Sequence, residues 1–171
     1  MRVGEVFEFM RPTMERCHSS MQLTRAADYA VRVMIHLAKS PSGTRVSLPL
    51  LAGATGAPDS FLSKVLQSLT RGRLVTSQRG PSGGFQMSAP GRQASMREVI
   101  EAIDGPMNLN VCLGNDHGCP RRLWCPAHPV WVKAQGALLD VLNEARITDL
   151  ANGNHVQFSI TGGGKTGTRD Q

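Results

Sequence analysis

The stretch from Ser47 to Ser88 permits few folds. It reads SLPLLAGATGAPDSFLSKVLQSLTRGRLVTSQRGPSGGFQMS. Two short helical segments are joined by a tight turn, and two runs of β-forming residues then flank a Gly/Pro-rich break. Ser47 is placed to cap LPLLAGAT, in which Pro49 is tolerable because a first-turn residue has no intrahelical N–H bond to lose. TGAP turns the chain, and Asp59 or Ser60 caps a helix ending near Arg71, with Gly72 as its C′ residue. Leu62, Val65, Leu66 and Leu69 form one apolar stripe of that helix, while Ser60, Ser63, Lys64, Gln67, Ser68 and Arg71 fall on its other face. A short helix, a tight turn and a second helix with a polar, basic outer face make a helix-turn-helix pattern. LVTSQ and GFQMS around RGPSG then read as a β-hairpin with Arg79 at its base, the wing of a winged helix.

The flanking segments extend this plan. Thr24 caps a helix running to about Ser40, with Leu23, Ala27, Ala30, Val33, Met34 and Leu37 at helical spacing. Ser95 and Glu98 form a capping box that opens a helix through Val99, Ile100 and Ile103 and ends at Gly105. PVWVKAQGALLDVLNEA forms an amphipathic helix with Val130, Trp131, Ala134, Leu138, Val141, Leu142 and Ala145 on its apolar side, and ITDL starts a last short turn. The expected fold is mainly α with a small β-hairpin wing: a winged helix-turn-helix domain plus a long C-terminal dimerisation helix. The expected organisation assigns residues 1–20 to an arm, disordered or preceding a true start at Met21. Residues 21–105 are the DNA-binding domain, 106–128 a cysteine-rich loop, 129–151 the dimerisation helix, and 152–171 a disordered tail.

Charge supports an anionic partner. The net charge is +6, and between residues 21 and 90 the only acids are Asp28 and Asp59, against Arg25, Arg32, Lys39, Arg45, Lys64, Arg71, Arg73 and Arg79. Lys64 and Arg71 can reach phosphates or guanine edges, Ser60 and Ser63 suit phosphate or base contacts, and Arg79 is placed to enter a minor groove. The plainer reading of this face is a solvated helix surface, and of RGPSGG a tight turn. A phosphate-cradling P-loop is excluded, because no Lys-Ser/Thr follows and a strand comes next. No apolar run is long enough for a transmembrane helix, and the N-terminus lacks an apolar signal core, so a cytoplasmic location is expected.

Between the two C-terminal helices lie Cys112, Cys119, Cys125 and His128, spaced C-x6-C-x5-C-x2-H in a stretch rich in Gly, Pro and Asn. Thiolates bind Zn²⁺, Cu(I) or iron–sulfur clusters, and an imidazole can complete the set. Three cysteines and a histidine fit a tetrahedral structural zinc site, although zinc motifs favour closer Cys pairs; gaps of six and five leave room to wrap a larger cluster. The chain has no CxxC and no Ser/His/Asp or paired-carboxylate arrangement, so a thiol redox enzyme, or any enzyme, is not the expected class.

MQLTRAADYAVRVM, the helix-turn-helix, LVTSQRGPSGGF, SMREVIEAIDGP, the three-cysteine loop and ITDLAN together resemble the Rrf-two family of bacterial winged-helix regulators, over about residues 21–151. The resemblance implies a homodimer on operator DNA and a loop whose iron–sulfur cluster sets operator affinity, most often in repression, in response to cluster status, oxidants or nitric oxide. By that resemblance Cys112, Cys119 and Cys125 match the cluster ligands. His128 matches the histidine of the IscR-type branch, which goes with [2Fe–2S]. Asp28 matches an aspartate of the NsrR-type branch that reaches the partner subunit's cluster, which goes with [4Fe–4S]. The chain carries both. The plainer reading of Asp28 is a helix-surface pair with Arg25 or Arg32. Ser63 and Lys64 stand where IscR-type proteins carry an acid–amide pair, which implies a different operator.

Overall fold

The computed structural model describes residues 23–80, 82–114 and 119–154. The expectations for the arm at 1–20 and for all but the start of the tail lie outside them. The described residues fall into two compact units: Leu23–Gly105 with those from Leu138 to Asn154, and those between Pro106 and Ala137.

In the larger unit, α1 (Arg25–Lys39) begins where the sequence places it, because Thr24 Oγ1 accepts the Ala27 amide at 3.2 Å. The same hydroxyl donates to Asp104 at 2.6 Å, fastening this cap to the far end of a later helix. Helix α2 (Leu48–Thr55) carries Pro49 in its first turn and ends on Gly56 at φ 72°. Helix α3 (Asp59–Arg71) buries Leu62, Val65, Leu66 and Leu69, the stripe read from the sequence. The hairpin follows as β1 (Val75–Gln78) antiparallel to β2 (Gly84–Met87), paired Val75 with Met87 through Gln78 with Gly84. Helix α5 (Met96–Asp104) has the full capping box: Ser95 N–H donates to Glu98 Oε2 at 2.7 Å, and Glu98 N–H to Ser95 Oγ at 3.2 Å.

Several local expectations are corrected. Pro58, not Asp59 or Ser60, stands at the N-cap of α3 and supplies no side-chain bond, so Asp59 sits inside the first turn. Ser47 occupies the cap of α2 without a side-chain bond. Gly72 is not left-handed; Arg73 takes the positive φ, 58°. Gly72 serves packing instead, since a Cβ there would meet Ala102 Cβ at 3.2 Å. A helix that the pattern missed, α4 (Ala89–Gln93), begins at Ser88, whose Oγ accepts the Gly91 amide. Val46 also pairs with Phe85 through two 2.9 Å backbone bonds, giving the wing a third backbone segment.

The segment 129–151 is not one helix. Helix α6 (His128–Glu144) ends, and α7 (Ile147–Ala151) starts anew. Backbone bonding elsewhere causes the break: Met96 N–H donates to the Ala145 carbonyl at 2.8 Å, and Ile147 N–H to the Ala94 carbonyl at 3.1 Å.

The core of the larger unit lies where α1 packs on α2, α3, α5 and α7. Met34, Leu37, Leu51, Leu62, Leu66, Leu69, Ile100 and Ile147 are its largest fully buried side chains. Truncating one to alanine removes buried methyl groups and leaves a cavity. Leu66→Ala should therefore cost about 3 kcal/mol of unfolding free energy, read by urea denaturation. A loss below about 1 kcal/mol would mean that the core collapses freely around α3.

Candidate nucleic-acid interface and cysteine loop

Helix α3 presents Ser60, Lys64, Gln67 and Arg71 on its exposed face, with Ser63 half-buried. Burial of the opposite stripe fixes which way this face points. Near its start, Phe61 meets Tyr29 of α1 edge-to-face at 5.6 Å, and the Arg32 guanidinium lies 5.7 Å from the Tyr29 ring. Near its end, Arg71 donates to Ser68 Oγ at 3.0 Å along the same exposed face. Arg79 is exposed just beyond β1. A groove of about 440 Å³ separates α3 from the wing, and Gln67, Arg71, Ser77, Gln78, Arg79 and Phe85 line it.

Of the five DNA-contact residues read from the sequence, this groove gathers two, Arg71 and Arg79; Ser60, Ser63 and Lys64 lie toward the N-terminal half of α3. Gln67, Ser77 and Gln78, which also line the groove, were not among the five. For Gln67 the signal was present, since it follows Lys64 by three residues and precedes Arg71 by four, one surface row of a helix. For Ser77 and Gln78 it was not, because the approach of a hairpin to a helix is not local information.

Of the two acids in this region, Asp28 is exposed and forms a 2.9 Å pair with Arg32, as an i,i+4 helix neighbour. Asp59 sits in the first turn of α3, where the helix dipole favours a carboxylate. Neither lines the groove.

The cysteine loop belongs to the smaller unit. Cys112 is buried within a 3₁₀ turn, Val111–Leu113, that the sequence reading did not anticipate. The Asn110 side chain starts this turn by accepting the Val111 amide at 2.8 Å. Gln135 of α6 accepts the Leu109 amide at 2.8 Å, so the turn carrying Cys112 is pinned to that helix. Cys119 and Cys125 are half-buried, and all three are free thiols. Backbone turns close on them: Arg122 N–H donates to the Cys119 carbonyl at 2.9 Å, and His128 N–H to the Cys125 carbonyl at 3.1 Å. His128 opens α6, and its Nδ1 is buried without a hydrogen-bond partner. An orphaned imidazole nitrogen on the residue that closes the Cys125 turn suits a metal ligand.

Among the described residues, no three His, Cys, Asp or Glu side chains stand together closely enough to hold a metal ion. The donor types fit a thiolate-bound group, and ligation by all three cysteines requires the loop to close around it. Asp28 lies in the other compact unit, paired with Arg32.

Helix α6 buries none of its own residues in the single chain. Val130, Trp131, Val132 and Val141 are all exposed, Trp131 by 40% and Val130 by 66%. No helix among the described residues is long and apolar enough to cross a membrane.

Residues 23–153 match the sequence model of the Rrf2 family, described as an iron-dependent transcriptional regulator. The chain belongs to the Rrf2 family. A Mycobacterium tuberculosis (strain H37Rv) protein named as an HTH-type transcriptional regulator is 36% identical over 136 residues, 78% of this chain and 83% of that one. The HTH-type transcriptional regulator IscR of Cronobacter sakazakii is 30% identical over 136 residues, covering 80% and 83%. In fold, the chain is similar to CymR, the global cysteine regulator of B. subtilis. Their TM-score is 0.63 at 23% identity, over 78% of this chain and 98% of CymR. This Rrf2 chain is thus a winged-helix transcriptional regulator, and its relatives are DNA-binding regulators rather than enzymes.

Proposed function

We propose that this Rrf2 regulator is a homodimeric repressor whose operator affinity is set by an iron–sulfur cluster held by Cys112, Cys119 and Cys125. His128 or Asp28 supplies the fourth ligand. The observation that carries the reading is the donor set itself: three free thiols along one loop, and at its end a His128 Nδ1 that is buried without a hydrogen-bond partner. The iron-dependent description of the family and the IscR name of a relative support it. When bound, such a cluster supplies a group that oxidants and nitric oxide attack, releasing its ligands.

The chain's own residues give this a route to DNA. Gln135 pins the Cys112 turn to α6. After α6, residues 145–147 bond to 94–96, and Arg146 donates to the Gln93 carbonyl at 2.8 Å. Along the chain, the loop is followed by α6 and then by the residues that bond to the DNA-reading domain. The exposed apolar side chains of α6 are the surface for a second copy, as operator-reading winged helices pair on half-sites one helical turn apart. A small change in the angle between two paired recognition helices then costs much affinity. Ser60, Ser63, Lys64 and Arg71 face the operator from α3, and Arg79 reaches a minor groove from the wing.

Anaerobic purification tests the reading. The expected product is brown, with iron and acid-labile sulfide, and Cys119→Ala removes the colour. A full cluster retained in Cys119→Ala would refute the ligand assignment. His128→Ala and Asp28→Ala separate the two candidate fourth ligands by their spectra. A second reading, a zinc-stabilised regulator without redox sensing, is favoured by the Cys₃His donor chemistry. It predicts a colourless protein with stoichiometric zinc.

A further inference from the structure

We propose that the groove between α3 and the wing seats a backbone phosphate of duplex DNA, fixing the protein's register without reading a base. The inference rests on the DNA-binding reading above and divides its contacts into two kinds. Both walls of the groove offer donors. From α3 come the Gln67 amide and the Arg71 guanidinium; from the wing come the Ser77 hydroxyl, the Gln78 amide and the Arg79 guanidinium. No carboxylate lines the groove, so nothing there repels an anion. Thr70 also lines it, but its hydroxyl is already engaged by the Leu66 carbonyl at 2.8 Å.

Two contacts shape the site in the free chain. Arg71 is anchored by Ser68, and Phe85, at the wing side, belongs to a strand fixed to Val46 by two backbone bonds. A pre-oriented guanidinium loses less conformational freedom on binding. Position completes the assignment. When a recognition helix enters one groove of DNA and a wing reaches the next, what passes between them is the sugar–phosphate strand. Phosphate contacts of this kind position a protein but carry no sequence information. Base reading is then left to Ser60, Ser63 and Lys64, nearer the N-terminus of α3.

The experiment pairs duplex selection with salt titration, using the full chain. Wild type and a Gln67→Ala/Gln78→Ala double variant each select from a randomised duplex library. Affinities are then measured on the selected duplex and on one arbitrary duplex. The double variant is expected to select the same motif as wild type and to bind both duplexes about tenfold more weakly, the loss of two hydrogen bonds. Arg71→Ala should make the log–log salt dependence shallower by about 1 per subunit. A motif altered at one base position in the double variant would make Gln67 or Gln78 a base reader and overturn the proposal. Unchanged affinity on both duplexes would do the same. Tight binding of inorganic phosphate to the DNA-free protein, lost in Arg71→Ala, would assign the groove to a free anion instead. If wild type selects no motif and shows no salt-dependent duplex binding, the DNA reading beneath the proposal fails, a result distinct from the others.

Discussion

Alanine at both Lys64 and Arg79 is expected to lower operator affinity by at least about a hundredfold while leaving the fold intact. Hydrogen bonds made by charged groups contribute about 1.5–3 kcal/mol each, so losing two costs about 3–6 kcal/mol, on the order of 10² to 10⁴ in affinity. Both side chains are exposed, one on the outer face of α3 and one on the wing. Among the described residues, neither takes part in an ion pair. Their removal therefore leaves no buried charge behind, and surface changes of this kind stay within about 0.5 kcal/mol in stability. The measurement is fluorescence anisotropy at fixed salt on the duplex that wild type selects, with thermal melts in parallel. Unchanged affinity would refute the assignment of both residues as DNA contacts. Lys64→Arg sharpens the outcome, because it keeps the charge and changes the geometry. If Lys64 serves only as a charge near phosphate, arginine restores most of the affinity; if it reads a guanine edge, the selected motif shifts.

The parts of this fold that depend on neighbours in sequence were legible in the sequence. Thr24, Ser95 with Glu98, and the Leu62/Val65/Leu66/Leu69 stripe each work through residues three or four positions away, and each is found in place. What escaped is held by distant partners. APGRQ is too short and too rich in Pro and Gly to read as a helix, and α4 exists because Ser88 ties it to the Arg73 carbonyl and to Gly91. The break after Glu144 was marked by ITDL starting a new turn, but its cause, bonds to residues 94–96 some fifty positions earlier in the chain, was not legible. The site divides the same way. Residue types in the cysteine loop announce soft-metal chemistry, but spacing along the chain did not show that Cys112 would be buried in a turn clasped by Gln135. Asp28 was open to two readings, and it is found beside Arg32.

Two glycine-to-alanine substitutions should act in opposite directions, although both glycines are helical. Gly91, in α4, is buried, and a Cβ there would lie 2.0 Å from the Leu74 carbonyl oxygen and 2.9 Å from its carbon. That obstacle is backbone, and the same carbonyl already accepts the Ser88 amide at 3.1 Å. Neither side can yield cheaply: moving Leu74 disturbs the entry to β1, and moving α4 breaks the bonds that Ser88 makes to Arg73 and Gly91. Forced overpacking of this kind costs about 3 kcal/mol or more, a large share of the 5–15 kcal/mol that typically separates folded from unfolded domains. Gly91→Ala should thus lower the midpoint of thermal unfolding by roughly 10 °C. Gly53, in α2, is exposed, and a Cβ there meets nothing within 4 Å. Alanine at that position gains helix propensity and restricts the unfolded chain, so Gly53→Ala should stabilise by about 0.5–1 kcal/mol. Calorimetry on the two variants decides the matter through sign as well as size. A Gly91→Ala protein that melts with wild type would mean that α4 is not seated against the start of the wing.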